Sequence, residues 1–185
     1  KKLSEIARPN IAVITNIGAA HSANFFNDSG IASEKSDIFN YLDKNSIAIF
    51  PRETKYFNLI KQKALKKTKK IFVFGNDEIC NIKVENKMDF EWHFNISGER
   101  TVLVNNFPFT NWSKNVSIIL CLAKILNVNL SKITPILEKL RPTKGRGKIS
   151  KVKINTKNLT IIDESYNSNP ESLNAAIQNL SNFRT

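Results

Sequence analysis

A chain of 185 residues is long enough to bury a real core, as one large domain or as parts of two. Its 28 Lys and Arg against 16 Asp and Glu give +12, but the lysines are scattered among abundant Asn and Ile. A solvated basic surface therefore explains the charge better than a nucleic-acid groove does. Apolar runs such as Val116 to Leu122 are far too short to cross a bilayer, which excludes membrane insertion by such a helix. Cys80 and Cys121 show no CxxC spacing, and no secretory leader is expected. They read as reduced structural thiols of a cytoplasmic protein.

Along the chain, strand and helix patterns alternate. Leu3 to Ala7 has helical spacing, and the β-branched run Ile11 to Thr15 reads as a buried strand ended by Asn16-Ile17-Gly18. Ile31, Ala32, Ile38, Phe39 and Leu42 space a helix that Asp28 or Ser29 can cap. Ser46 to Phe50 is a second strand stopped by Pro51, Tyr56 to Lys67 a helix, and Ile71 to Phe74 a third strand ended by Gly75-Asn76. The dense run Lys61 to Lys70 reads as a solvated helix face leading into that strand. This alternation predicts a mostly parallel sheet flanked by helices.

The period then changes. Phe90, Trp92, Phe94 and Ile96 alternate with polar residues, and Ser97-Gly98-Glu99 turns into Thr101 to Val104, an antiparallel hairpin with Trp92 inward and His93 outward. Helices are expected from Asn115 to Leu126 and from Leu130 to Leu140. Arg141 to Gly145 is the best linker, so the domains divide as 1–141 and 142–185. Beyond the linker, the strand-like Leu159 to Ile162 leads through Asp163-Glu164-Ser165-Tyr166-Asn167-Ser168-Asn169-Pro170 into a helix near Glu171.

That last segment is the most informative one. Two acids, a tyrosine and two asparagines sit at the carboxyl end of a strand, where open α/β sheets bind ligands. A local explanation also holds: Ser168 or Asn169 caps the helix and Pro170 occupies its first turn. With Gly145-Arg146-Gly147 upstream, the segment resembles the nucleotide-binding signature opening the last, Rossmann-like domain of the Mur ligases. The Ser-Tyr-Asn-x-Asn-Pro form is similar to that of the branch adding D-alanyl-D-alanine to the cell-wall precursor.

A second group of residues carries the same resemblance. Asn16-Ile17-Gly18-Ala19-Ala20-His21, followed by Lys35 in Ile31 to Phe39, is similar to the family's Asn-x-x-x-Ala-His and Ala-Lys-x-Glu-Ile-Phe. The resemblance implies a carbamylated Lys35 which, with His21, holds Mg²⁺; a carbamate turns a cation into an oxygen ligand suited to that ion. Taken alone, His21 is an ordinary loop histidine and Lys35 a solvated helix lysine. Ala23 departs from the family's acid two residues after the histidine, Glu34 from its small residue, and Asp37 from its Glu. The Phe25-Phe26 pair reads as packing.

Asn111-Trp112-Ser113-Lys114-Asn115 is similar to the family's His-Asn-x-x-Asn, whose last amide bonds adenine. Only Asn115 transfers, and a helix-start residue is nearly as good a reading of it. The resemblance further implies that Arg146 reaches ATP phosphate or ribose, that Asp163 or Glu164 accepts ribose hydroxyls, and that Tyr166, Asn167 and Asn169 line the base. Its substrates would be ATP, UDP-N-acetylmuramoyl-tripeptide and D-alanyl-D-alanine, used by a monomer with no nucleic-acid partner.

The chain has no Gly-rich loop ending Gly-Lys-Thr/Ser; Lys144 to Lys148 has the wrong spacing. The family carries that loop upstream, so the expectation is a fragment: the later part of the central ATPase domain and the opening of the last domain, inactive by itself. Ligases of the same superfamily that add a single amino acid, or a noncatalytic nucleotide- or nucleic-acid-binding remnant, are the alternatives.

Overall fold

This computed structural model describes residues 2–18, 28–88, 91–104, 111–166 and 170–181. After helix α1 (Lys2–Ala7), strands β1 (Ile11–Val13), β2 (Ile47–Pro51) and β3 (Lys70–Gly75) alternate with helices α2 (Asp28–Ser36) and α3 (Phe57–Leu65). A 3-10 turn, Asp37–Tyr41, follows α2. Strands β4 (Ile82–Met88), β5 (Glu91–Ile96) and β6 (Glu99–Val104) complete a six-stranded sheet in sequence order. The first four strands pair in parallel, and β4, β5 and β6 form an antiparallel meander. The sheet is mixed, as the change of period predicted, although β4 was not foreseen.

The two-residue period of the strands sorts side chains into a core on each face. On one face Ala48 and Phe50 of β2 meet Phe39, Phe57, Ile60 and Ala64. Phe50 lies between Phe39 and Phe57, with ring centroids 6.1 and 5.7 Å away and tilted planes, a favourable aromatic geometry. On the other face Ile49, Phe74, Ile82 and Phe94 pack with Val116, Leu120 and Cys121 of α4 (Asn111–Ile125) and with Leu137 of α5 (Leu130–Leu137). Trp92 is buried and His93 is partly exposed, in agreement with the hairpin reading.

Several boundaries differ from the sequence expectation for local reasons. The helix spaced from Ile31 to Leu42 divides at Ser36, whose hydroxyl donates to the Ala32 carbonyl at 2.6 Å, and a tighter turn follows. Helix α4 starts at Asn111, so Asn115 lies in its second turn and does not open it. Helix α5 is capped by Asn129, whose side chain accepts from the Ser131 amide, and ends at Leu137 instead of Leu140. Pro135 inside it donates no hydrogen bond, and the chain leaves through bonds from Lys139 to Ile136 and from Leu140 to Leu137.

Beyond the linker, β7 (Lys148–Ile154) and β8 (Lys157–Asp163) form an antiparallel pair in register from Lys148 opposite Asp163 to Ile154 opposite Lys157. Helix α6 (Pro170–Ser181) follows. The expected strand–turn–helix is thus β8 and α6, with β7 added before it. Ile149 and Ile162 rest against the first unit's core, whereas Val152, Ile154, Leu159 and Ile161 are exposed.

Candidate functional site

The hairpin brings the start of β7 and the end of β8 together, and with them the linker glycines and the acids Asp163 and Glu164. Asp163 is the hub. Its Oδ2 accepts from the Gly145 amide at 2.9 Å, its backbone carbonyl accepts from the Gly147 amide at 2.8 Å, and its Oδ1 accepts from the Ser165 hydroxyl at 2.6 Å and amide at 3.2 Å. The Ser165 hydroxyl and then the amides of Gly145 and Ser165 hold the Asp163 carboxyl below the usual carboxylate range. The Tyr166 amide returns a bond to the Gly145 carbonyl at 3.0 Å.

Gly145 has to be glycine here. Its φ is +76°, and an added Cβ would come within 2.9 Å of Tyr166 Cβ and 3.1 Å of its amide nitrogen. This close approach sets the next residue against the tyrosine: the Arg146 guanidinium lies 4.2 Å from the centroid of the Tyr166 ring. Tyr166 itself remains 67% exposed, leaving ring surface for a ligand. Glu164 is also exposed, and its carboxyl is pushed upward by what desolvation it suffers and by the Asp163 charge, with Arg146 opposing. An arginine, an acid and an aromatic ring therefore share one strand end, a set suited to phosphate, hydroxyls and a flat base.

Lys35 is placed by the first unit. It lies in the last turn of α2 and donates from Nζ to the Asn16 carbonyl at 3.1 Å, three residues past β1. The structure thus brings together the lysine and the strand end that leads to His21. The same helix is strapped to α3 by Lys63, whose Nζ donates to the Ser33 carbonyl at 2.6 Å, the Ser33 hydroxyl at 2.8 Å and Asp37 Oδ1 at 2.8 Å. The hydrogen bond from Lys63 holds the Asp37 carboxyl below its usual range against the opposing effect of burial. Lys63 is therefore not the solvated lysine that the run Lys61 to Lys70 suggested. No local signal gives this away, because its partners lie 26 and 30 positions upstream.

Asn115 is exposed on α4. His21, Asn167 and Asn169 lie outside the described residues, as do Ala23, Phe25 and Phe26. Among the described residues no group of three His, Cys, Asp or Glu converges as a metal site, and no helix is long and apolar enough to cross a membrane. Cys80 and Cys121 are free thiols, and burial pushes them up to about 11 and about 12. They are structural, as expected.

Residues 1–113 match the Mur ligase middle domain. The UDP-N-acetylmuramoyl-tripeptide--D-alanyl-D-alanine ligase of Rickettsia prowazekii (strain Madrid E) is 31% identical over 97% of this chain, which covers 40% of that protein. Among solved structures, MurF from Acinetobacter baumannii superposes with a TM-score of 0.85 at 25% identity, over 98% of this chain and 39% of that one. MurF from Thermotoga maritima, solved in complex with ADP, gives 0.81 at 20% identity, over 98% of this chain and 41% of that one. The chain thus spans about two fifths of the length of these relatives.

Proposed function

The chain belongs to the Mur ligase family, and from that premise we propose that the intact protein joins D-alanyl-D-alanine to a UDP-N-acetylmuramoyl tripeptide, with ATP as phosphoryl donor. One observation carries the reading furthest. The Ser-Tyr-Asn-x-Asn-Pro sequence from Ser165 to Pro170, the form of the dipeptide-adding branch, begins beside the Arg146–Tyr166 stack at the end of β8. The similarity to the Rickettsia ligase over 97% of the chain supports the same substrate choice.

In this reading the γ-phosphoryl group of ATP passes to the terminal carboxylate of the tripeptide, giving an acyl phosphate and ADP. The dipeptide amine attacks the acyl carbon, the C–O bond to phosphate breaks, and an amide, phosphate and a proton result. The fragment's part is to hold the nucleotide. Arg146 meets phosphate or ribose oxygens, because its planar donors match them. Of the two acids, Glu164 takes the ribose hydroxyls, since Asp163 already accepts from Gly145 and Ser165. Tyr166, Asn167 and Asn169 line the base, and the Asn115 amide meets its edge. Residues 1–141 form the later part of the central domain and residues 142–185 open the last one. Docking of the latter on the former excludes water that would hydrolyse the acyl phosphate.

Magnesium, which the resemblance brings with it, would be held by His21 and Lys35. As an ammonium, Lys35 donates to the Asn16 carbonyl and offers no lone pair to a cation. The described residues do not fit the ion as they stand; only carbamylation of Lys35 would supply the oxygen ligand. The protein would act as a cytoplasmic monomer, and residues 1–185 alone would turn over no ATP.

The test is phosphate release by the full-length parent with ATP and the tripeptide substrate, offering D-alanyl-D-alanine or single amino acids. Release that requires the dipeptide, falls by about a hundredfold or more in Lys35→Ala and recovers with added short carboxylates is the expected result. Release with a single amino acid keeps the family and overturns the substrate. No release with any amine from a folded protein overturns the ligase reading.

A further inference from the structure

We propose that Asp163 is a positioning residue that brackets Arg146 and holds it in register with Tyr166, and that it is not a ribose contact. The inference rests on the nucleotide-binding reading above and deepens it. The residue on each side of Arg146 donates its amide to Asp163: Gly145 to the carboxylate at 2.9 Å and Gly147 to the carbonyl at 2.8 Å. A further bond, from the Tyr166 amide to the Gly145 carbonyl at 3.0 Å, fixes the ring that the guanidinium covers at 4.2 Å. The linker's arginine is thereby tied at three points to the end of β8.

The chemistry of the carboxylate points the same way. An ionised carboxylate offers about four lone-pair sites; the Gly145 amide and the Ser165 amide and hydroxyl fill three of them. The shortest of these bonds is the one from the Ser165 hydroxyl to Oδ1, at 2.6 Å. The buried Gly145, with φ +76° and no room for a Cβ beside Tyr166, leaves the segment little freedom to take another path. Arg146 belongs to no helix or strand, and its own backbone amide bonds within the linker, to the Thr143 carbonyl at 3.0 Å. Its placement therefore depends on its neighbours' amides, and those end on Asp163. A guanidinium held in advance loses less conformational freedom when it meets a phosphate or ribose oxygen.

The experiment uses the full-length parent with Asp163→Ala, Asp163→Asn, Arg146→Ala and the double Asp163→Ala/Arg146→Ala, each assayed for the KM of ATP and for kcat. The expected result is an ATP KM raised about tenfold by Asp163→Ala, with the double variant no worse than Arg146→Ala alone. Asp163→Asn, which keeps an oxygen for the Gly145 amide, recovers most of the loss. A nucleotide lacking both ribose hydroxyls separates the roles. A positioning residue costs the same factor with ATP and with dideoxy-ATP, whereas a ribose contact loses its effect with the latter, which overturns the proposal. Multiplying effects of Asp163→Ala and Arg146→Ala overturn it as well. Amide exchange at Gly145 and Gly147 tests the bracket independently of any ligase activity. Protection in the wild type that drops about tenfold at Gly145 in Asp163→Ala is expected, and an unprotected wild-type Gly145 removes the bracket. A parent that binds no adenine nucleotide while Gly145 stays protected removes the ligase reading and the arginine's role with it, but leaves the bracket standing.

Discussion

The two units of the chain are held together by different forces. Residues around the six-stranded sheet are packed on both faces, with Phe39, Phe50, Phe74 and Phe94 fully buried. The β7–β8–α6 unit touches that core through Ile149 and Ile162 but leaves Val152, Leu159, Ile161, Leu173, Ile177 and Leu180 exposed. In the first unit position is set by packing, so its candidate site residue, Lys35, inherits the rigidity of a helix on a sheet. In the second, the candidate turn is set by hydrogen bonds centred on Asp163, to its carboxylate and its backbone carbonyl. Losses in the first should be read in global stability, and losses in the second in local geometry and ligand affinity.

The sharpest way to break this contrast is to remove apolar volume from each unit and measure urea unfolding. Phe50→Ala, losing a ring that touches Phe39 and Phe57, should cost about 3–5 kcal/mol. Lys63→Met should come next, at about 1.5–3 kcal/mol, because it removes the donor shared by Ser33 and Asp37 while keeping the stem. This variant also carries a pH signature. The Asp37 carboxyl titrates below its usual range because of Lys63. Its contribution is therefore complete above the ordinary carboxylate pKa, about 4, and is lost as pH falls through the lowered value. The wild type should lose more stability than Lys63→Met across that window, and parallel acid profiles would show that the strap does not couple the two residues.

Gly145→Ala should cost about 1–2 kcal/mol in any unfolding signal from the second unit, while lowering nucleotide affinity more than a change of that size elsewhere on the surface. Ile161→Ala should cost about 0.5 kcal/mol or less, since Ile161 is 48% exposed. A cost for Ile161→Ala comparable with Phe50→Ala would erase the contrast and assign the hairpin a core of its own.

The packed unit was also the more legible one from sequence. Ile11 to Thr15, Ser46 to Phe50 and Ile71 to Phe74 are β-branched or aromatic runs bounded by Asn, Pro or Gly, and each forms a parallel strand. Strand β4 carries a readable signal: Ile82 and Val84 are buried and alternate with Lys83 and Glu85. Strand β7 was harder, because Lys148, Lys151 and Lys153 dilute its alternation and no residue in it is fully buried. The expected start of α4 at Asn115 missed by one turn, since Asn111 and Asn115 are equally suited to a helix start.

In the candidate site, the sequence brought out Arg146, the two acids at the end of β8 and Tyr166, because such residues are conspicuous at a strand end. What it left open was the division of labour between Asp163 and Glu164. The division proposed above rests on the register of β7 against β8, which sets the Gly145 amide in front of one carboxylate and not the other. A backbone donor 18 positions away leaves no trace in local composition.

The central claim, that the intact protein makes an amide through an acyl phosphate, is tested most directly by isotope transfer. The tripeptide substrate is labelled with heavy oxygen in its terminal carboxylate and incubated with ATP, D-alanyl-D-alanine and the full-length parent, and the released phosphate is analysed by mass. The account predicts that heavy oxygen from the carboxylate appears in the phosphate in step with dipeptide-bearing product. Phosphate released without the label would mean that ATP is hydrolysed without activating the carboxylate, and would contradict it.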